Sequence, residues 1–156
     1  MTPAGARLAD PAATEAIGRA LAGLLRPGDI VALVGDLGAG KTTLARGLLG
    51  GLGLAGEAAS PSFPIVIAYD PPETRFPVWH VDLYRIEDAE DAEELGLDDA
   101  LADGALVIEW PERLGGRLWP ETLQLSLSAE PDGARRLTAD VPASWEARWS
   151  QLRIAG

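Results

Sequence analysis

Apolar positions recur along this chain with two different periods, and the switches between them outline a fold. After Asp10-Pro11, which reads as an N-cap and first helical residue, Ile17, Leu21, Leu24 and Leu25 return at helical spacing. They predict an amphipathic helix that ends before Pro27-Gly28. Ile30 to Val34 is a short, β-branched apolar run between turn signals, as expected of a buried strand. Helical spacing resumes from Lys41 to about Leu52 through Leu44, Leu48, Leu49 and Leu52. Phe63 to Tyr69 and Phe76 to Asp82 read as strands joined by Asp70 to Arg75. That link is shorter than the roughly dozen residues a parallel crossover takes, so the two strands are expected to pair antiparallel.

An acidic helix is expected next, followed by Ala105 to Glu109 as a strand of the parallel core. Thr122 to Ser128 alternates with period two, and Asp132-Gly133 turns the chain into Arg136 to Val141, a second hairpin. Pro142 to Ile154 reads as a C-terminal helix with Trp145 and Trp149 on one side. Helices and strands alternate early and hairpins come late, with no internal repeat. The expected class is α/β: one domain over residues 1–156, a mixed parallel and antiparallel sheet flanked by helices.

Between the first strand and the helix that follows runs the pattern G-x-x-x-x-G-K-[ST], made by Gly35, Asp36, Leu37, Gly38, Ala39, Gly40, Lys41 and Thr42, with Thr43 behind it. Its position between strand and helix is what separates a phosphate-binding loop from a chance match. Glycines permit the turns that aim successive backbone N–H groups inward, and the helix N-terminus adds partial positive charge. Lys41 is the single lysine of a chain with 13 basic residues. A site that needs a compact ammonium rather than a guanidinium fork accounts for that exception. The expected fold is a P-loop NTPase-like domain, with Lys41 reaching the β- and γ-phosphates and Thr42 ligating Mg²⁺.

Composition narrows the remaining classes. The chain has 156 residues, no cysteine and one histidine, which excludes disulfides, thiolate metal sites and multi-histidine metal sites. A metal, if used, is a hard ion held by oxygen. No apolar run reaches the roughly 18 residues of a membrane span, and Met1 to Asp10 lacks a signal-peptide layout, so a cytoplasmic location is expected. The net charge of −11 argues against independent binding to nucleic acid. Nine acidic residues fall between Glu87 and Asp103. The plain reading is a solvated helix face; the sharper one is a docking surface for a basic partner.

Hydrolysis needs a carboxylate for the metal and a group to orient water. Asp82 and Glu109 each close a strand at its C-terminal end, where open α/β sheets bind ligands. Asp82 is preferred for Mg²⁺ and Glu109 for water and catalysis with Lys41, with the reverse assignment left open. Asp70 is a third candidate, but Pro71 and Pro72 place it in a turn. His80 shares a strand face with Asp82 and reads as a packed, hydrogen-bonded neighbour. Ser60 to Phe63 has the position of a γ-phosphate switch or of an ordinary turn, and Trp110 of a nucleotide neighbour or a core residue.

Taken in order, Gly35 to Thr43 (GDLGAGKTT), Ser60 to Phe63 (SPSF), His80 to Arg85 (HVDLYR), Glu93 to Asp99 (EELGLDD) and Ile108 to Glu112 (IEWPE) resemble the bacterial TsaE (YjeE) family. That family is the ATPase component for threonylcarbamoyladenosine modification of tRNA. The resemblance covers nearly the whole chain and is weakest in the last fifteen residues. It implies that Gly35 to Thr43 cradles ATP, that Thr42 and Asp82 serve Mg²⁺, and that Glu109 supports hydrolysis and lies within the metal's reach. It implies a switch at Ser62, where relatives usually carry threonine; the hydroxyl is kept and the stiffening methyl lost. Implied partners are the threonylcarbamoyl-transferase protein and its dimerising paralogue, TsaD and TsaB, with tRNA engaged indirectly and no membrane. Arg85 is placed to approach the phosphates or to pair with the acidic helix. Without an arginine acting in cis, turnover by the protein alone is expected to be slow. The rivals are a small-molecule kinase, which usually carries an arginine-rich lid not seen here, and an assembly module in which turnover is incidental.

Overall fold

The structure, a computed structural model, describes residues 5–36, 38–55 and 66–152. Leu37, the Ser60 to Phe63 segment with Ser62, the start of the strand expected at Phe63 and the end of the helix expected to Ile154 lie outside the described residues.

Among the described residues, seven strands form one sheet: β1 (Gly5–Leu8), β2 (Ile30–Val34), β3 (Val66–Tyr69), β4 (Val78–Asp82), β5 (Ala105–Glu109), β6 (Leu123–Ala129) and β7 (Arg135–Asp140). Their order is β1-β7-β6-β2-β5-β4-β3. The four central strands β6, β2, β5 and β4 are parallel, and antiparallel partners close both sides through β6–β7, β7–β1 and β4–β3. Both hairpins and the parallel core agree with the sequence reading. β2 and β5 are apolar and buried along nearly their whole length because layers cover both faces. β6 alternates buried and half-buried positions over its first five residues.

Side chains on successive positions point to opposite faces, so each strand feeds two cores. Val31, Leu33, Ala105 and Val107 join the core under α1 (Pro11–Ala22) and α2 (Lys41–Gly51). Leu106 and Ile108 join a smaller core under α3 (Ala89–Glu93) and α4 (Leu97–Ala100). By the same alternation His80 and Asp82 on β4, and Glu109 on β5, share the α2 face.

Three departures from the sequence reading have local causes. The acidic helix is two short helices, because Gly96 takes a left-handed conformation (φ 66°) that ends one and starts the other. All nine acids of this stretch are exposed, while Ala92, Leu97 and Ala100 face inward. The C-terminal helix is a 3-10 turn at Ala143–Trp145 followed by a single helical turn, α5 (Glu146–Trp149). Its two tryptophans are buried, and Arg148 pairs with Asp29 at 2.6 Å, tying the segment to the turn before β2. Finally, β1 was not expected; Gly5-Ala-Arg-Leu8 has little strand character of its own and forms by adding to the edge of β7.

α1 and α2 pack at unusually close range. A Cβ placed on Gly18 would stand 2.2 Å from the Leu44 carbonyl oxygen, and one on Gly47 would stand 2.0 Å from that of Glu15. These two glycines set the distance between the helices, and thereby bring the start of α1 beside the start of α2.

Candidate functional site

The glycine loop leaves β2 at its C-terminal end and enters α2 through Gly40, whose φ of 106° is open chiefly to glycine. Gly38, Gly40, Lys41, Thr42 and Thr43 then line a cleft together with Asp82, Glu109 and Trp110. The N–H groups of the first α2 turn have no earlier carbonyl of their own helix to bond. With the helix dipole behind them, they make the cleft floor suited to an anion.

Lys41 is 5% exposed. Its ammonium donates to the Gly35 carbonyl and lies 3.6 Å from the centroid of the Trp110 ring. Burial lowers its pKa, and the nearby charges of Glu109, Glu112, Asp82 and Asp36 oppose that shift. Both direct contacts are to neutral groups, so the charge is held in place without being neutralised by a contact ion pair. Trp110 reaches this position through a left-handed backbone (φ 60°, ψ 51°), uncommon for a bulky residue and costing about 1–3 kcal/mol. Its ring is also 4.9 Å from that of Tyr84.

Glu109, 3% exposed, is held at both oxygens: Oε1 accepts from Thr42 Oγ1 at 3.3 Å, and Oε2 lies 2.7 Å from His80 Nε2. A carboxylate only accepts, so the His80 proton in this pair sits on Nε2. His80 is fully buried and its Nδ1 has no hydrogen-bond partner among the described residues, which makes it a positioning residue for the glutamate. Asp82 is the cross-strand neighbour of Glu109 and accepts the Tyr84 N–H at Oδ1, 2.9 Å away. Burial raises the Asp82 pKa, the Tyr84 N–H pulls it back, Glu109 raises it further, and His80 and Lys41 lower it.

Thr42, Asp82 and Glu109 form an oxygen-only donor set around two neighbouring buried carboxylates. That chemistry fits a hard divalent cation such as Mg²⁺, whose charge would relieve the burial and repulsion acting on Asp82. The sign of the effect gives a test. A carboxylate whose pKa is raised by folding costs stability above its unfolded pKa, and the cost disappears as pH falls below that value. Asp82→Asn is therefore expected to raise the melting temperature of the ligand-free protein at pH 7 by about 2–4 °C. The gain should shrink as the pH is lowered into the carboxylate range; an equal or lower melting temperature at pH 7 would show that Asp82 carries no such burden.

The structure separates the remaining sequence candidates. Tyr69 pairs with Val78 at the start of β4, so Asp70 lies at the opposite end of the sheet from Asp82 and takes no part in the cleft. Arg85 is exposed and is not part of the cleft lining. The arginine that reaches the loop is Arg135 on β7, which donates to the Gly38 carbonyl at 2.9 Å. Asp10, Pro11 and Thr14 at the start of α1 also line the cleft. No local motif marks these residues, because their proximity to the loop is created by the sheet order and by the α1–α2 contact.

A strand, glycine loop and helix with carboxylates at the ends of two parallel neighbours define the fold and site of the P-loop NTPase class. The solved structure of YdiB from Bacillus subtilis is similar to this chain with a TM-score of 0.77 and 30% identity, covering 94% of this chain and 90% of that one. The chain belongs to the TsaE family: residues 8–137 match the family model for the threonylcarbamoyl adenosine biosynthesis protein TsaE. Among curated relatives, the tRNA threonylcarbamoyladenosine biosynthesis protein TsaE of Bacillus subtilis is 38% identical over 133 residues, 85% of this chain and 82% of the relative. The protein of the same name from Streptomyces coelicolor is 45% identical over 112 residues, 71% and 76% of the two chains. No helix among the described residues is long and apolar enough to cross a membrane.

Proposed function

We propose that this protein is a Mg²⁺-dependent ATPase serving tRNA threonylcarbamoyladenosine biosynthesis, and that it acts on partner proteins of that system rather than on tRNA. The observation that carries the reading is Glu109, buried at the end of β5 and joined to both the loop threonine, Thr42, and His80. A loop that only bound nucleotide would have no need of a buried carboxylate held in this way beside the loop threonine.

In this reading Gly35 to Thr43 hold the phosphates and Lys41 contributes its charge to the β- and γ-groups. Thr42 and Asp82 would hold Mg²⁺, with Glu109 beside them; when bound, the ion would supply positive charge that offsets the charge developing on the phosphates. Glu109 accepts a proton or hydrogen bond from the attacking water, and His80 keeps its carboxylate aimed. Asp82 suits the metal better than Glu109 does, since both Glu109 oxygens are already engaged while one Asp82 oxygen is held by Tyr84.

Among the described residues, the cations that line the cleft are Lys41 and Arg135. Arg135 spends its N–H groups on main-chain carbonyls and stands on the β6–β7 side of β2, away from Glu109 and Asp82. An arginine supplied from outside is worth about 10³–10⁵ in rate in related chemistry. ATP turnover is therefore expected to be slow alone and to rise about tenfold or more when the TsaD and TsaB proteins are added. Equal turnover with and without them would remove the partner-acting part of the reading. The acidic α3–α4 surface, with no basic residue between Glu87 and Asp103, supports contact with a positively charged partner face.

A further inference from the structure

Lys41 can serve a phosphate only if its charge stays available, and its surroundings put that at risk. The charges that act on its ammonium are Glu109, Glu112, Asp82 and Asp36, all negative. Glu109 and Asp82 line the same cleft, and Glu109 is bonded to Thr42, the next residue along α2. A lysine carries its ammonium on a flexible four-carbon stem, and one free to turn would pair with such carboxylates. That pair would cancel the charge meant for the phosphates and engage the carboxylates meant for metal and water.

The ammonium instead contacts the Gly35 carbonyl and the face of Trp110, 3.6 Å from the ring centroid. An aromatic ring attracts a cation through its quadrupole and carries no net charge of its own, so it holds the ammonium without neutralising it. Placing a ring there takes an unusual backbone. Among the described residues Trp110 is the one non-glycine residue with positive φ, and Pro111 behind it favours extended backbone at this position. An extended residue 110 would continue β5 and point to the face opposite Glu109. The left-handed turn lets the ring reach Lys41 while it still packs on the smaller core, and the Tyr84 ring supports it from 4.9 Å. A conformation this unfavourable persists only where its surroundings fix it, and such residues cluster at functional sites.

We propose that Trp110 is a positioning residue for Lys41: its ring keeps the ammonium off Glu109 and Asp82, so that cation and carboxylates stay separately available within one cleft. Trp110 acts through the lysine and is not itself a catalytic residue. This inference rests on the nucleotide reading above and adds to it the device that keeps opposite charges apart at close quarters.

The test is a double-mutant cycle on ATP affinity, measured by calorimetry. Trp110→Leu removes the ring, Trp110→Phe retains one, and Glu109→Gln removes the charge that acts most strongly on Lys41. Trp110→Leu is expected to weaken ATP binding about three- to tenfold, with Trp110→Phe within about twofold of the parent. In the Glu109→Gln background the ammonium has lost its main competing partner, and the same Trp110→Leu change is expected to cost about twofold or less. Loss of packing alone would weaken binding equally in both backgrounds. Equal losses, or a Trp110→Leu protein that binds ATP as tightly as the parent or tighter, would overturn the proposal. Melting curves check that each variant is folded, and Trp110→Met replaces Trp110→Leu if the latter is unfolded at the assay temperature. A parent that binds no ATP would remove the nucleotide reading itself; a parent that binds it, with no coupling between the two positions, removes only the role of Trp110.

Discussion

Glu109→Ala is expected to keep ATP affinity near the parent value and to lower turnover by about 10²–10⁴-fold, the range for losing a positioned proton acceptor. The expectation follows from where the glutamate is held. Its carboxylate stands at the end of β5, bonded to Thr42 and His80, and it adds negative charge to a cleft that must receive a polyanion. Removing it subtracts nothing from phosphate binding and takes away the group that orients water. Lys41→Ala is the opposite case. It removes the one ammonium in the cleft and should weaken ATP binding by about 10–100-fold, as for the loss of charged hydrogen bonds. A Glu109→Ala protein with parental turnover would eliminate the glutamate from the chemistry. The variant also leaves His80 Nε2 buried without its partner, so its melting temperature should be recorded alongside. A drop in melting temperature with ATP binding intact still separates the two roles.

The second large effect is on stability. Gly47→Ala is expected to destabilise the protein by about 3 kcal/mol or more, at the upper end of what overpacking costs. A methyl at that position meets the Glu15 carbonyl at 2.0 Å, and neither backbone yields without separating α1 from α2. The variant forces these helices apart over their contact, and the start of α1 leaves the phosphate loop with it. On an isolated helix the same change would be favourable, since alanine stabilises a helix interior by roughly 1 kcal/mol over glycine. The sign of the measured change in urea unfolding therefore tells which effect wins: a variant as stable as the parent would mean that the helices do not meet at this distance. Gly18→Ala, facing Leu44 at 2.2 Å, is the matching probe on the other helix.

These two residues also show why some of the site was legible from the chain and some was not. Lys41 and Thr42 belong to a contiguous pattern whose function depends on local backbone turns, so their spacing already names them. Asp82 and Glu109 were legible as the last residues of apolar strands, because ligands gather at the ends of such strands. That they are lateral neighbours required the β4–β5 pairing. His80 was expected beside Asp82 on its own strand; its partner is Glu109 on the next one. The acidic stretch looked like one helix because composition and spacing allow it, while the break at Gly96 depends on a single backbone angle.

The chain by itself determined the local units: a β2–loop–α2 unit from its periods and glycines, two hairpins from short polar turns between alternating runs, and an oxygen-only ligand chemistry from the lack of cysteine and the single histidine. It also carried five ordered motifs, enough to indicate the family. Tertiary structure alone decided the strand order, the edge strand β1, the union of Glu109 with His80 and Thr42, and the approach of Thr14 and Arg135 to the loop from opposite parts of the chain. The physical reason is range. Period, turn chemistry and capping act over a few residues and leave a mark in the sequence around them. Which strand lies beside which, and how closely two helices approach, depends on packing between segments that can be more than a hundred residues apart, and a glycine that permits such an approach looks no different from one that merely weakens a helix.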